Sequence, residues 1–351
     1  MASLYSRFVF PLLRRMDAET VHERTLRLLE LAQGKVARPF LHKIAGHLPN
    51  NPIELAGLTF PNVLGMAAGF DKDVRVATGL AALGFGHIEV GTLTPRPQAG
   101  NPRPRIFRLP ADGAIINRMG FPNGGAQAAL VRLRQLVAHP RDFVLGVSLG
   151  KQKETPLAEA EGDYIAVMQV VYAYADYLAV NISSPNTPDL RELQGGDYLG
   201  QLLRTLVAEN EALAEATGVV KRPLFVKIAP DLTLNELDEI LTAVLDNQLD
   251  AIIATNTTIS RMGLTSANQN EAGGLSGLPL RQQSTAIIQY IYRQTNGRLP
   301  IIGVGGVRTA TDVQAKLDAG ASLVQLYTSL VYEGPGLPGR LLRNLAQSST
   351  I

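Results

Sequence analysis

The chain has 351 residues, 46% hydrophobic and 18% charged, with a formal charge of +2, no cysteine and no tryptophan. That composition belongs to a folded globular protein, and the length fits two average domains or one α/β barrel with an extension. Without cysteine there are no disulfides, thiolate metal sites, cysteine-held iron–sulfur clusters or thiol acid–base groups, so any chemistry uses oxygen and nitrogen groups or a borrowed cofactor.

The charge is uneven. Residues 1–48 hold eight basic residues against four acidic ones, a balance of +4, while the remaining 25 basic and 27 acidic residues sum to −2. A basic N-terminal piece on a near-neutral body points to an anionic surface as partner. No basic run with interleaved aromatics follows, so nucleic acid is not expected. No uninterrupted apolar stretch reaches the roughly 18 residues of a membrane-spanning helix, and Arg14 and Arg15 interrupt the first apolar segment too early for a secretory signal. That segment, Leu4 to Leu13, carries Phe8, Phe10, Leu12 and Leu13. Asp17 then offers an N-cap, with Glu19 in the first turn of a second helix. Val21, Leu28, Leu29 and Ala32 recur there at helical spacing. Two readings stay open for this region: a helical cap packed on the main domain, or an amphipathic pair that lies on a membrane and admits an apolar ligand.

From residue 63 onward a short apolar run, a polar or glycine-containing tip and a helical segment repeat. The runs are Val63–Gly69, His87–Thr92, Phe143–Leu149, Tyr177–Ile182, Leu224–Ile228, Ala251–Thr255, Pro300–Val304 and Leu323–Tyr327. Several are continuously apolar and β-branched, as strands buried on both faces should be. Helices are predicted over Val74–Leu83, Leu157–Ala175, Tyr198–Ala216, Leu234–Leu245, Pro279–Arg293 and Ala310–Ala319. Eight strands alternating with helices over about 265 residues predict a (β/α)8 TIM barrel with an N-terminal amphipathic helical extension. A doubly wound sheet is the alternative, but no G-x-G-x-x-G opens the first helix. The Pro95–Phe143 connection is too long for one helix and predicts a hairpin or loop over the barrel mouth.

Barrel chemistry collects at strand C-terminal ends. Those ends carry Ala68 to Lys72, Thr92, Ser148, Asn181 to Thr187, Lys227, Thr255 to Thr258, Gly305-Gly306 and Tyr327-Thr328. The set is rich in amides, hydroxyls and lysines, without the carboxylate pair of a glycosidase or a His/Asp/Glu metal cluster. Amides that donate and accept suit a flat heterocycle. Two lysines suit an anionic substrate or a reduced, negatively charged cofactor. Glycines after the seventh strand sit where barrels hold phosphate, though tight βα turns alone also require them. Lys227 is open to three readings: Schiff-base nucleophile, electrostatic partner of a cofactor ring, or structural salt bridge. Ser184 on its own reads as a turn residue, and with no Gly-x-Ser-x-Gly elbow and no nearby histidine a hydrolase triad is disfavoured.

The strings Gly65 to Lys72, Glu89 to Pro97, Asn117 to Phe121, Asn181 to Pro188, Ile253 to Thr258, Gly273 to Gly277 and Leu323 to Tyr327, in that order along nearly the whole chain, resemble the quinone-dependent (class 2) dihydroorotate dehydrogenases. The resemblance implies an FMN-dependent oxidoreductase that converts (S)-dihydroorotate to orotate in pyrimidine (UMP) biosynthesis and passes electrons to ubiquinone or menaquinone. It implies Ser184 as the base for the C5 proton. It implies a pyrimidine ring held by Asn117, Asn181, Asn186, Asn256 and Thr257, with Lys72, Arg118, Met119, Gly120 and Phe121 on the substrate carboxylate side. FMN is implied against Ala68, Gly69, Phe70, Asp71, Lys72, Thr92, Ser148, Asn181, Lys227, Thr255, Gly277, Gly306, Tyr327 and Thr328. Ser148 stands where close relatives often carry Asn, and a hydroxyl replaces only one of an amide's two hydrogen bonds. Residues 1–48 are implied to bind the membrane and form the quinone channel, with His22 and Arg108 as polar contacts, and 49–351 to form the FMN barrel. No Arg- and Ser-rich transit segment precedes the extension, so the expected location is peripheral, on the cytoplasmic side of a bacterial inner membrane, with no metal. In the related soluble (class 1) enzymes a cysteine is the base; a cysteine-free chain with Ser184 and a basic extension fits the membrane-associated branch. A flavin-free phosphate-binding aldolase or isomerase using Lys227 is the competing enzyme class, and a non-catalytic surface module the competing non-enzyme.

Overall fold

The computed structural model describes residues 4–187 and 190–348; Pro188 of the Asn181–Pro188 string and the first three residues of the extension lie outside these. A π-helical stretch, Tyr5–Val9, runs into α1 (Phe10–Leu13), followed by α2 (Ala18–Ala32) and α3 (Arg38–Ala45). Asp17 caps α2 as expected, its carboxylate accepting the Thr20 N–H at 2.8 Å. The third helix is an addition to the predicted pair: it is only eight residues long, opens with Pro39 in its first turn and buries Leu41 and Ala45. Ion pairs hold the extension on the body, with Arg75 bridging Glu23 at 2.9 Å and Glu30 at 2.7 Å, and Arg105 meeting Glu19 at 2.7 Å.

A hairpin of β1 (Ile53–Leu55) and β2 (Leu58–Phe60), also unpredicted, turns through Ala56 and Gly57, both at positive φ. Its Phe60 is fully buried and meets His87 edge to face, closing the barrel floor. Then come β3 (Leu64–Met66), α4 (Ala77–Ala82) and β4 (His87–Leu93). The long connection supplies the expected hairpin, β5 (Ile106–Leu109) and β6 (Ala114–Asn117), plus α5 (Ala126–Val137). The alternation continues with β7 (Val144–Leu149), α6 (Ala160–Val171), β8 (Tyr177–Asn181), α7 (Gly196–Thr217), β9 (Leu224–Ile228), α8 (Leu234–Asp246) and β10 (Ala251–Ala254). It ends with β11 (Gly274–Gly277), α9 (Arg281–Gln294), β12 (Ile301–Val304), α10 (Ala310–Asp318), β13 (Leu323–Leu326), α11 (Thr328–Glu333) and α12 (Leu337–Ser348).

Strands β3, β4, β7, β8, β9, β10, β12 and β13 close a parallel barrel in chain order, each overlapping one predicted run. The runs are mostly apolar because both faces are covered. Tyr177, Ala179, Phe225, Ile253, Ile302 and Leu323 fill the interior, while Leu64, Met66, Ile88, Val90, Leu145 and Leu178 pack outward on the helices. Capping boxes at Thr233/Glu236 and Thr309/Asp312 start α8 and α10. Over the C-terminal mouth, β6 pairs antiparallel with both β5 and β11, so two insertions distant in sequence build one three-stranded roof.

Candidate active site

Between barrel mouth, roof and extension lies one cavity of about 790 Å³, within the size range of small-molecule sites. Of the predicted residues, Ala68, Gly69, Phe70, Lys72, Thr92, Asn117, Met119, Gly120, Phe121, Asn181, Ser184, Asn186, Lys227, Asn256 and Thr257 line it, as do Thr255, Gly277, Gly306, Tyr327, Thr328, His22 and Arg108. Asp71, Ser148 and Arg118 do not.

Each exception has a structural task. The Asp71 carboxylate accepts the backbone N–H groups of Arg75 at 2.7 Å and Val76 at 2.8 Å, closing the turn into α4, and burial pushes its pKa up. Ser148, fully buried, stands behind Thr92, hydroxyl to hydroxyl at 2.9 Å. Arg118 turns its guanidinium to Glu271 at 2.6 Å and over the Phe107 ring.

The amides interlock across strand ends. Asn181 donates to Thr92 Oγ1 at 2.9 Å and accepts from Ser183 Oγ at 3.0 Å. Asn256 Nδ2 reaches the same Ser183 oxygen at 2.9 Å, and Asn186 Nδ2 reaches Asn117 Oδ1 at 3.3 Å. Ser184 Oγ accepts the Asn186 N–H at 3.2 Å, a bond that leaves the hydroxyl's own proton uncommitted. Lys72 donates to the Gly69 carbonyl, and burial lowers its pKa to about 8. Lys227 pairs with Glu89 at 3.0 Å. The salt-bridge reading of Lys227 therefore holds together with a place in the cavity wall.

At the other end of the barrel mouth, Gly305 and Gly306 follow β12 at positive φ, and Thr328 Oγ1 donates to Ser276 Oγ at 2.8 Å. Ser329, which also lines the cavity, has a buried hydroxyl with no partner among the described residues. From there aromatic edges lead outward: Tyr327 meets Phe70 at 5.7 Å, and Phe70 meets His22 of α2 at 5.1 Å. Burial, with Lys72 nearby, lowers the His22 pKa to about 3, so its ring is neutral. Val21, Leu28 and Leu29 of α2 and Phe40 and Leu41 of α3 wall this apolar end. Arg108 reaches across from β5 to the carbonyls of Leu13 and Met16, both at 3.0 Å, fastening the extension above the cavity.

Ser276, Ser329 and Glu89 were not among the predicted residues. Glu89 had a usable signal: a carboxylate inside the otherwise buried run from His87 to Leu93 needs a cationic or multiply donating partner. Ser276 and Ser329 had none, since lone serines beside glycine and threonine are ordinary turn residues.

The family model described as Dihydroorotate dehydrogenase matches residues 52–348. A curated "Dihydroorotate dehydrogenase (quinone)" of Chromobacterium violaceum is 50% identical over 338 residues, covering 96% of each chain. Its namesake from Polynucleobacter asymbioticus is 49% identical over 341 residues, covering 96% of this chain and 97% of the relative. Among solved structures, DHODH of Eimeria tenella in complex with ferulenol superposes with a TM-score of 0.81 at 39% identity, covering 90% of this chain and 92% of that one.

Proposed function

The chain belongs to the quinone-dependent class of the dihydroorotate dehydrogenase family and is an oxidoreductase, and we propose that it oxidises (S)-dihydroorotate to orotate in pyrimidine synthesis, with FMN as resident cofactor and ubiquinone or menaquinone as final acceptor. The observation that carries this is one cavity with a polar end, where Ser184 sits among four asparagines, and an apolar end walled by the extension.

The residues present fit FMN. A Cβ on Gly69 would meet only Tyr327, at 3.8 Å, so the missing side chain leaves room for a flat ring. The Ser329 hydroxyl, without a partner among the described residues, and the positive-φ backbone of Gly277, Gly305 and Gly306 on the cavity wall suit a phosphate. Ala68 to Lys72, Thr92, Asn181, Lys227, Thr255, Tyr327 and Thr328 complete the holding set, with Asp71 and Ser148 acting from behind it. FMN, when bound, supplies a two-electron acceptor for the substrate and a donor for the quinone.

The chain's own residues do the rest. Asn117, Asn181, Asn186, Asn256 and Thr257 hold the pyrimidine edge, and Lys72, with the backbone of Arg118 to Phe121, meets the carboxylate side. Ser184 takes the C5 proton. An alcohol is a weak base at neutral pH, so that proton must move on. Thr187 Oγ1, buried and without a partner among the described residues, is a hydroxyl three residues away that suits the relay.

Residues 1–48 serve as the membrane-associating, quinone-channel unit and 49–351 as the catalytic barrel. Exposed Leu4, Phe8 and Leu12 beside Arg7, Arg14 and Arg15 suit an anionic membrane surface. No helix among the described residues is long and apolar enough to cross a membrane. We place the protein peripherally, on the cytoplasmic side of the inner membrane. His22 and Arg108 supply polar contacts along the quinone path. The Lys227–Glu89 pair works against an aldolase, whose Schiff-base lysine has to lose its charge.

Anaerobic mixing with dihydroorotate tests the reading. Bleaching of a visible flavin band is the expected result; a colourless protein, or a flavin that dihydroorotate leaves oxidised, overturns it.

A further inference from the structure

We propose that Glu89 is a positioning residue that fixes the place and charge of Lys227 and through it sets the reduction potential of bound FMN. The proposal rests on the flavin reading above.

Glu89 is fully buried in the barrel and lies outside the cavity wall, while Lys227, 4% exposed, lies in it. The ammonium therefore stands between the carboxylate and the cavity. Three donors converge on the carboxylate: Lys227 Nζ on Oε1 at 3.0 Å, and Gln325 Nε2 at 2.9 Å and the Tyr177 hydroxyl at 3.3 Å on Oε2. Burial and the Glu89 charge raise the Tyr177 pKa far above its ordinary value, so this phenol donates as a neutral group. Gln325 Oε1 has no partner among the described residues, although it is buried. Turning the amide over would aim that oxygen at the carboxylate, so the charge of Glu89 dictates its orientation. Space for the network comes from Gly146, the partner of Glu89 on the neighbouring strand β7; a Cβ there would lie 2.0 Å from Tyr177 Cζ. One position thus forgoes a side chain so that a tyrosine can reach an acid.

An ammonium has three donors, and the bond to Glu89 commits one. A buried amine without a counterion gives up its proton, because burial disfavours the charged form. Glu89 supplies that counterion at 3.0 Å and partly cancels the charge of the ammonium. Reduction of FMN adds two electrons and one proton, leaving one extra negative charge on the cofactor, which a cation in the wall stabilises. The potential then depends on how much of the lysine's charge remains uncompensated.

The test is a spectroelectrochemical titration of the FMN-loaded full chain between pH 6 and 9. In Glu89→Gln the equilibrium at pH 6 is expected to shift toward reduced flavin by about tenfold, about 30 mV for a two-electron couple. The shift should fade as pH rises and the uncompensated lysine loses its proton. Glu89→Asp, which keeps the charge, should stay closer to wild type and guards against a Gln variant that does not fold. In a Lys227→Gln background the pH dependence of the Glu89→Gln shift should vanish. A wild-type potential across this range in the Glu89 variants, with only the melting temperature lowered, would show a merely structural ion pair and overturn the proposal. A wild-type chain that takes up no FMN overturns the flavin reading itself, and the proposal with it.

Discussion

The Ser148 hydroxyl lies 2.9 Å from the Thr92 hydroxyl, and Asn181 Nδ2 reaches the same Thr92 oxygen at 2.9 Å from the other side. Ser148 therefore acts on the cavity through Thr92 and not as part of its wall. An asparagine in its place is a longer side chain that would have to displace Thr92 or pass beside it. Ser148→Ala deletes one buried hydrogen bond, worth about 1 kcal/mol. Urea melts should record that loss, while FMN retention on dilution changes less than about tenfold.

Ser184→Ala removes the proposed base and leaves the FMN-facing residues in place. Proton transfer by a positioned side chain contributes about 10²- to 10⁴-fold. Anaerobic stopped-flow mixing with dihydroorotate should show flavin reduction slowed by at least about a hundredfold, with unchanged flavin content. Reduction at the wild-type rate removes Ser184 from the mechanism.

Arg108→Ala frees the carbonyls of Leu13 and Met16 from their shared donor and loosens the first turns of the extension above the apolar end. Turnover with quinone should fall about tenfold, consistent with loss of one or two hydrogen bonds to a charged group. Reduction of the flavin by dihydroorotate, measured without quinone, should stay at the wild-type rate. An equal fall in both half-reactions would mean that the extension shapes the whole cavity.

Phe8 and Leu12 are 60% and 64% exposed on the extension, next to its arginines. Phe8→Glu together with Leu12→Glu should reduce co-sedimentation with anionic vesicles without changing the melting temperature. Unchanged sedimentation would place the membrane contact elsewhere.

His87 points into the barrel floor with both ring nitrogens lacking partners among the described residues, and burial lowers its pKa to about 3. The unfolded chain binds its proton near pH 6.5, the folded protein only near 3. The unfolded state is thus favoured progressively as pH falls below 6.5, and between pH 7 and 5 this one group should remove about 2 kcal/mol of stability. His22 acts in the same direction. His87→Leu should flatten the pH dependence of chemical denaturation over that interval. An unaltered slope would show that His87 accepts a proton in the folded state.

The barrel was legible because eight mostly apolar runs such as Ala251–Thr255 recur between helical segments. The α3 helix and the β1–β2 hairpin were not, being too short to show a period; tertiary burial of Leu41 and Phe60 holds them. At the site, residues that work through strand-end position, such as Thr92 and Asn181, could be read from their place in the alternation. Asp71 and Ser148 share that position, yet the last turn of backbone aims them at Val76 and Thr92 rather than at the cavity. Spacing along a chain does not encode that choice.

The roof joins strands far apart in the chain: Asn117 of β6 pairs with Gly274 of β11 as well as with Ile106 of β5. Its central strand emerges from the ribosome early and waits for a partner made only after six of the eight barrel strands are complete. Such a distant pairing is entropically slow to close. The hairpin of β5 and β6 can form at once, but its free edge stays open through most of synthesis, so a chain stalled before residue 274 carries a barrel wall without the cover its site requires.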